Sequence, residues 1–194
     1  MGREVVIRAD PEVWTPVPSS VDDAAAWVDA QVARAPEATR DRVADAARLA
    51  VLNRLASELS VALFLSVAEA ELFGMLGIVV LDDVPAPGDA TGAAGIAESL
   101  LPSPWPAEIV AVELGHARGW RTTVLDPEGA AGDESVSLPQ TVSTAYILDI
   151  RGRCAVAALT PLIPLAAATA QVLAERALVT LDVEDGASDG AEEW

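Results

Sequence analysis

The stretch Leu72-Phe73-Gly74-Met75-Leu76-Gly77-Ile78-Val79-Val80-Leu81 decides the fold class. From Leu76 to Leu81 it is apolar on both faces of an extended chain. It therefore predicts a strand placed centrally in a sheet that is covered on both sides. The residues before it, 60–67, fit either the end of a helix or a strand. Glu69-Ala70-Glu71 supplies a hairpin connection, which favours the strand. After it, Pro85-Ala86-Pro87-Gly88-Asp89 breaks the chain.

Upstream, Val5 and Ile7 alternate weakly. Trp14-Thr15-Pro16-Val17-Pro18 reads as an extended or edge strand, because proline cannot donate to a ladder. Ser19 or Ser20 caps a helix whose first turn holds Asp22 and Asp23, and which ends before Pro36. A second helix, from Pro36-Glu37, shows Val43, Ala46, Ala47, Ala50 and the leucines Leu49, Leu52 and Leu55 as one broad apolar face.

Downstream, a short helix over 92–101 is stopped by Pro102. Strands over 109–114 and 120–125 are joined through Gly115-His116-Ala117-Arg118-Gly119, and a glycine- and acid-rich loop covers 126–137. Strands over 142–150 and 154–159 meet at the tight turn Arg151-Gly152. Thr160 and Pro161 then read as the cap and first residue of a last helix over 162–177. Residues 178–183 end a single domain, 1–183, and 184–194 read as an acidic, disordered tail. Antiparallel hairpins interrupted by helices predict an α+β fold, a mostly antiparallel sheet with helices packed on both faces (an α/β/α sandwich).

This order of elements, from Trp14-Thr15-Pro16-Val17-Pro18 through the helices and strand pairs to Thr160-Pro161 and the last helix, resembles the PsbP-like α/β/α sandwiches. That group includes the Ran-binding nuclear import factor and actinobacterial LpqN-type lipoproteins. The resemblance spans residues 4–183 and rests on element order, with no residue motif. It implies a binding scaffold without catalysis. The LpqN-type proteins are lipidated on an N-terminal cysteine; no cysteine stands there in this chain, so that location does not carry over.

Composition narrows the chemistry. The chain has 194 residues, a formal net charge of −18 and 52% hydrophobic residues, enough to build a core despite the charge. All 12 basic residues are arginine. The lysine of a phosphate-binding loop, of a Schiff base or of a kinase is therefore missing. His116 is the only histidine and Cys154 the only cysteine, which excludes an intrachain disulfide and a structural zinc site of four Cys/His ligands. No metal or cofactor is expected. The negative charge disfavours nucleic acid and anionic membrane surfaces and suits a basic protein partner. No apolar export signal opens the chain. The uncharged run 154–174 carries Pro161 and Pro164 and reads as strand, turn and helix, not as a membrane span. A cytoplasmic location follows as the expectation.

Few residues suggest a site. Gly186-Ala187-Ser188-Asp189-Gly190 has the spacing of a nucleophile elbow, but only four residues follow it and the sole histidine precedes it. His116 is a candidate acid/base or an idle turn residue, with Arg118 and Arg121 as anion-binding neighbours. The acidic clusters Asp82-Asp83, Asp126 with Glu128, Asp133-Glu134 and 182–185 lack calcium-loop spacing. Trp14, Trp105 and Trp120 stand beside prolines or glycines near element ends, where an indole anchors a partner or lines a pocket; Trp194 ends the tail as a docking residue. Trp27 and Cys154 read as core. The expectation is a non-catalytic binding or assembly factor of a bacterial cell. The alternative is a small-molecule site or enzyme at His116, Arg118, Trp120 and Arg121.

Overall fold

In the computed structural model, which describes residues 3–81, 84–101, 103–126, 129–130 and 137–185, two strands come first: β1 (Arg3–Val6) and β2 (Trp14–Pro16). Helix α1 (Val21–Arg34) begins where the Ser20 hydroxyl accepts a hydrogen bond from the Asp22 N–H, and it stops ahead of Pro36. A single 3-10 turn leads into α2 (Arg40–Ala56). Strands β3 (Val61–Val67) and β4 (Leu72–Leu81) form the expected hairpin, turning through a left-handed Glu71 at φ 50°. Helix α3 (Ala90–Leu100) is capped by the Asp89 carboxylate, which accepts from the Gly92 N–H at 2.8 Å.

Next come β5 (Glu108–Leu114) and β6 (Ala117–Asp126), the short pair β7 (Gly129–Ala130) and β8 (Ser137–Leu138), then β9 (Thr141–Ile150) and β10 (Arg153–Leu162). The turn between β9 and β10 places Arg151 and Gly152 at φ 53° and 80°, the two positive angles of the hairpin turn whose twist matches its strands. Helix α4 (Pro164–Leu178) and strand β11 (Asp182–Asp185) finish the order.

Seven strands form one sheet in the order β2-β3-β4-β10-β9-β6-β5, with every neighbouring pair antiparallel. Alternation along β9 sends Tyr146, Leu148 and Ile150 to one face and Ile147 to the other. The first face lies under α4, against Ala170, Ala174, Ala177 and Leu178. The second is shared: α1 and α2 cover β3 and β4 through Val28, Ala47 and Val51, whereas α3 covers β6, β9 and β10 through Ala93 and Ala97. Alanines at these contacts let the helices sit close to the sheet. The fold is α+β, a large antiparallel sheet with helices on both faces.

Several local expectations are corrected. Leu49, Leu52 and Leu55 do not join the α2 core face; they are 60%, 61% and 38% exposed. Val43, Ala47, Ala50 and Val51 already fill the arc of one helix face, and the leucines fall outside it. Thr160 and Pro161 do not open the last helix, because β10 runs on to Leu162 and the proline in the first turn is Pro164. A register shift between Leu159 and Leu162 frees the Thr160 hydroxyl to accept from the Met75 N–H of β4 at 3.1 Å. The turn after β5 is only Gly115-His116, so Arg118 and Gly119 belong to β6. The folded part also passes residue 183. Asp182–Asp185 pairs antiparallel with Arg3–Val6, so Glu184 and Asp185 are strand residues, not tail. Residues 186–194 lie outside the described residues.

Candidate functional site

The two edges of the large sheet differ. The β2 edge is three residues long, contains Pro16 and is followed by Pro18, so it offers little backbone for further pairing. The β5 edge reads Glu108-Ile109-Val110-Ala111-Val112-Glu113-Leu114 with no proline, and among the described residues no strand pairs its outer side. Its β-branched residues favour this extended state.

Beside the start of β5 lies a groove of about 600 Å³ between α3 and the sheet. Ala94, Ala97 and Glu98 of α3 form one wall, Ile109 and Val124 the floor, and Trp105 the rim. The sequence places the rim. Helix α3 cannot continue into Pro102, and Pro104 and Pro106 fix the backbone on both sides of Trp105. The Ser103 hydroxyl accepts from the Trp105 N–H at 3.2 Å and donates to the Leu125 carbonyl at 3.4 Å, tying the segment to the end of β6. The Trp105 backbone is held in place, yet the residue is 58% exposed, which is unusual for so large an apolar group.

The other sequence candidates scatter. Trp14 is 3% exposed, packed in the core under α4, and presents no surface to a partner. His116 sits exposed at the tip of the β5–β6 hairpin. Arg118 and Trp120 point to the α3 side, where they line a separate hollow of about 390 Å³ with Pro87 and Asp149; Arg118 pairs with Asp149 at 3.6 Å. Arg121 points to the opposite face, where its guanidinium meets Glu175 of α4 at 2.8 Å. One pocket of His116, Arg118, Trp120 and Arg121 is therefore not assembled: alternation along β6 divides the arginines between two faces. Trp194 and the Gly186–Gly190 match lie outside the described residues, as do Asp82, Asp83, Glu128, Asp133 and Glu134.

Under α4 a polar cluster crosses the core. The Tyr146 hydroxyl lies 3.3 Å from the Gln171 carbonyl and 3.4 Å from the Glu175 carboxylate, and the Gln171 amide donates to Thr144 Oγ1 at 2.9 Å. Burial, reinforced by the Glu175 charge, pushes the Tyr146 phenol well above its ordinary range, with Arg121 opposing. Burial also raises the Cys154 thiol, with a smaller push from Asp149. A thiol held protonated in the core is a weak nucleophile. Among the described residues no group of three or more His, Cys, Asp or Glu side chains is placed to hold a metal ion, and no helix is long and apolar enough to cross a membrane.

Sequence reasoning reached Trp105 but missed its groove, whose walls come from positions 94–124 brought together only by folding. The arrangement offers recognition chemistry: an exposed indole on a tied segment, an apolar floor, a carboxylate and a strand edge that is free among the described residues. The class it defines is an α+β sandwich with an open edge site. Comparison with protein-family models, with curated proteins and with solved structures finds no match to this chain.

Proposed function

We propose that this chain is a non-catalytic binding or assembly factor of a bacterial cell that docks a protein partner in the Trp105 groove. The observation that carries this reading is Trp105, 58% exposed on a backbone tied down by Ser103, at the rim of an apolar groove beside a strand whose outer edge is unpaired among the described residues. Exposed aromatic anchors beside apolar pockets supply most of the affinity at protein interfaces. The resemblance of the element order to PsbP-like sandwiches supports a scaffold role, and a basic partner accords with the net charge of −18. The buried, protonated Cys154 and the division of the β6 arginines between two faces give the enzyme reading no support.

The test places a photo-crosslinking side chain at Leu101, on the groove wall, in the native host. The captured protein is identified by mass spectrometry, remade and titrated. We expect one defined partner whose purified form binds the wild-type chain about tenfold or more tighter than Trp105→Ala. Equal affinity for both, or a measured turnover by the chain itself, overturns the reading.

A further inference from the structure

We infer that the partner segment is a basic, extended peptide that adds to the sheet as an eighth strand along the outer edge of β5. This rests on the groove reading above and specifies its mode. Three observations carry it. First, β5 is the open edge: seven residues, no proline, and an outer side unpaired among the described residues, in contrast to the short, proline-bearing β2. An extended peptide on such an edge gains main-chain hydrogen bonds along its length, and every second side chain turns to the same face.

Second, one of those faces leads to the groove. Ile109, Ala111 and Glu113 alternate on the α3 side of β5, as their pairing with Thr122, Trp120 and Arg118 shows, and Ile109 lines the groove that Trp105 rims. A strand beside β5 sets its α3-facing side chains next to that apolar floor. Specificity then comes from the groove and affinity from the ladder.

Third, the charge is one-sided. Glu98 stands in the groove wall, and Glu108 and Glu113 are exposed on β5 itself. Arg118 stands opposite Glu113 across the strand pair but is shared with Asp149, and Arg121 meets Glu175 on the other face, so the edge stays net negative. Like charges facing across a strand pair are destabilising, so a second copy of this edge is a poor match and a basic strand is a good one. The outer leucines of α2 form the other apolar surface, but nothing in the fold marks what covers them.

The test uses seven-residue peptides, the length of β5, with blocked ends and a fluorescent label, titrated by anisotropy at physiological salt. The probe alternates arginine and valine. Two further peptides have the same sequence but carry backbone N-methyl groups on all arginines or on all valines, which keeps charge and side chains while blocking one edge. A fourth alternates glutamate and valine. We expect the unmethylated basic peptide to bind at least about tenfold tighter than one of the methylated forms, and the acidic peptide not to bind. The triple variant Glu98→Gln, Glu108→Gln, Glu113→Gln should lose about tenfold, and hydrogen exchange should slow at β5 amides on binding.

Equal binding of all three basic peptides reduces the interaction to bulk charge and overturns the proposal. So does protection that falls on α2, no binding at all, or self-association of the free chain through β5. If the peptides fail while a crosslinked partner still depends on Trp105, strand addition is lost and the docking groove stands. Peptide binding that is indifferent to Trp105→Ala gives the reverse.

Discussion

The Arg121 guanidinium of β6 and the Glu175 carboxylate of α4 meet at 2.8 Å beneath the helix, with side chains 26% and 29% exposed. That position lies between a surface pair, worth under about 1 kcal/mol, and a buried one, where removing a single partner strands a charge. Arg121 Nε is already buried with no hydrogen-bond partner among the described residues, so the cation depends on Glu175. We expect Glu175→Ala to cost about 1–2 kcal/mol in urea unfolding. The double variant with Arg121→Met should cost less than the sum of the singles by about 1 kcal/mol. Strict additivity would show that the pair is not coupled.

Tyr146 gives a signature at alkaline pH. It is the only tyrosine, fully buried, and its phenol is held protonated by burial and by Glu175. An unfolded phenol titrates near pH 10. Above that value the unfolded chain sheds a proton that the folded chain keeps, so stability falls as pH rises, at up to about 1.4 kcal/mol per pH unit. Below pH 10 the group contributes no slope. Tyrosinate absorbance should appear with unfolding and not before it, and Tyr146→Phe should flatten the loss. Tyrosinate formed in the folded chain near pH 10 would contradict this.

Much of the fold was legible because its signals are local. The run Leu72 to Leu81 reads as one central strand, and Arg151-Gly152 reads as a turn from two residues alone. Misreadings arose where distant contacts decide. Pro161 and Pro164 both suit a helix start, and only the bulge that hands Thr160 to Met75 selects the second. Leu49, Leu52 and Leu55 share helical three-residue spacing with one another, yet they fall off the face where Val43, Ala47 and Ala50 take the contact. The pairing of β1 with β11 joins the chain's two ends, which no window along the sequence contains. The site was legible only at Trp105, since its groove is made by tertiary packing.

Gly115 tests how the open strand is braced. At φ 63° it sits in the left-handed region, and a Cβ there would lie 2.2 Å from the Val179 carbonyl oxygen at the end of α4. Either the hairpin tip or the helix end must move. Gly115→Ala should therefore cost about 2–3 kcal/mol, combining backbone strain with steric displacement. Gly152 is the control, with φ 80° and nothing within 4 Å. Gly152→Asn should cost less than about 1 kcal/mol, because asparagine tolerates that conformation. Equal costs would mean that contact with α4 does not hold the hairpin.

Trp14 and Trp105 separate core from site by opposite responses. Trp14, 3% exposed among Leu63, Leu65 and Leu72, fills volume that no neighbour can recover, so Trp14→Ala should cost about 3–5 kcal/mol. Trp105 is 58% exposed, and its segment is held by Ser103 and two prolines without help from the indole. Trp105→Ala should shift stability by no more than about 0.5 kcal/mol. The same substitution should weaken partner binding about tenfold or more, because truncating an interface anchor removes affinity that the fold does not use. Unfolding midpoints and titrations on the same two variants read both effects. A large stability loss at Trp105 would make it a structural residue and remove the anchor from the groove.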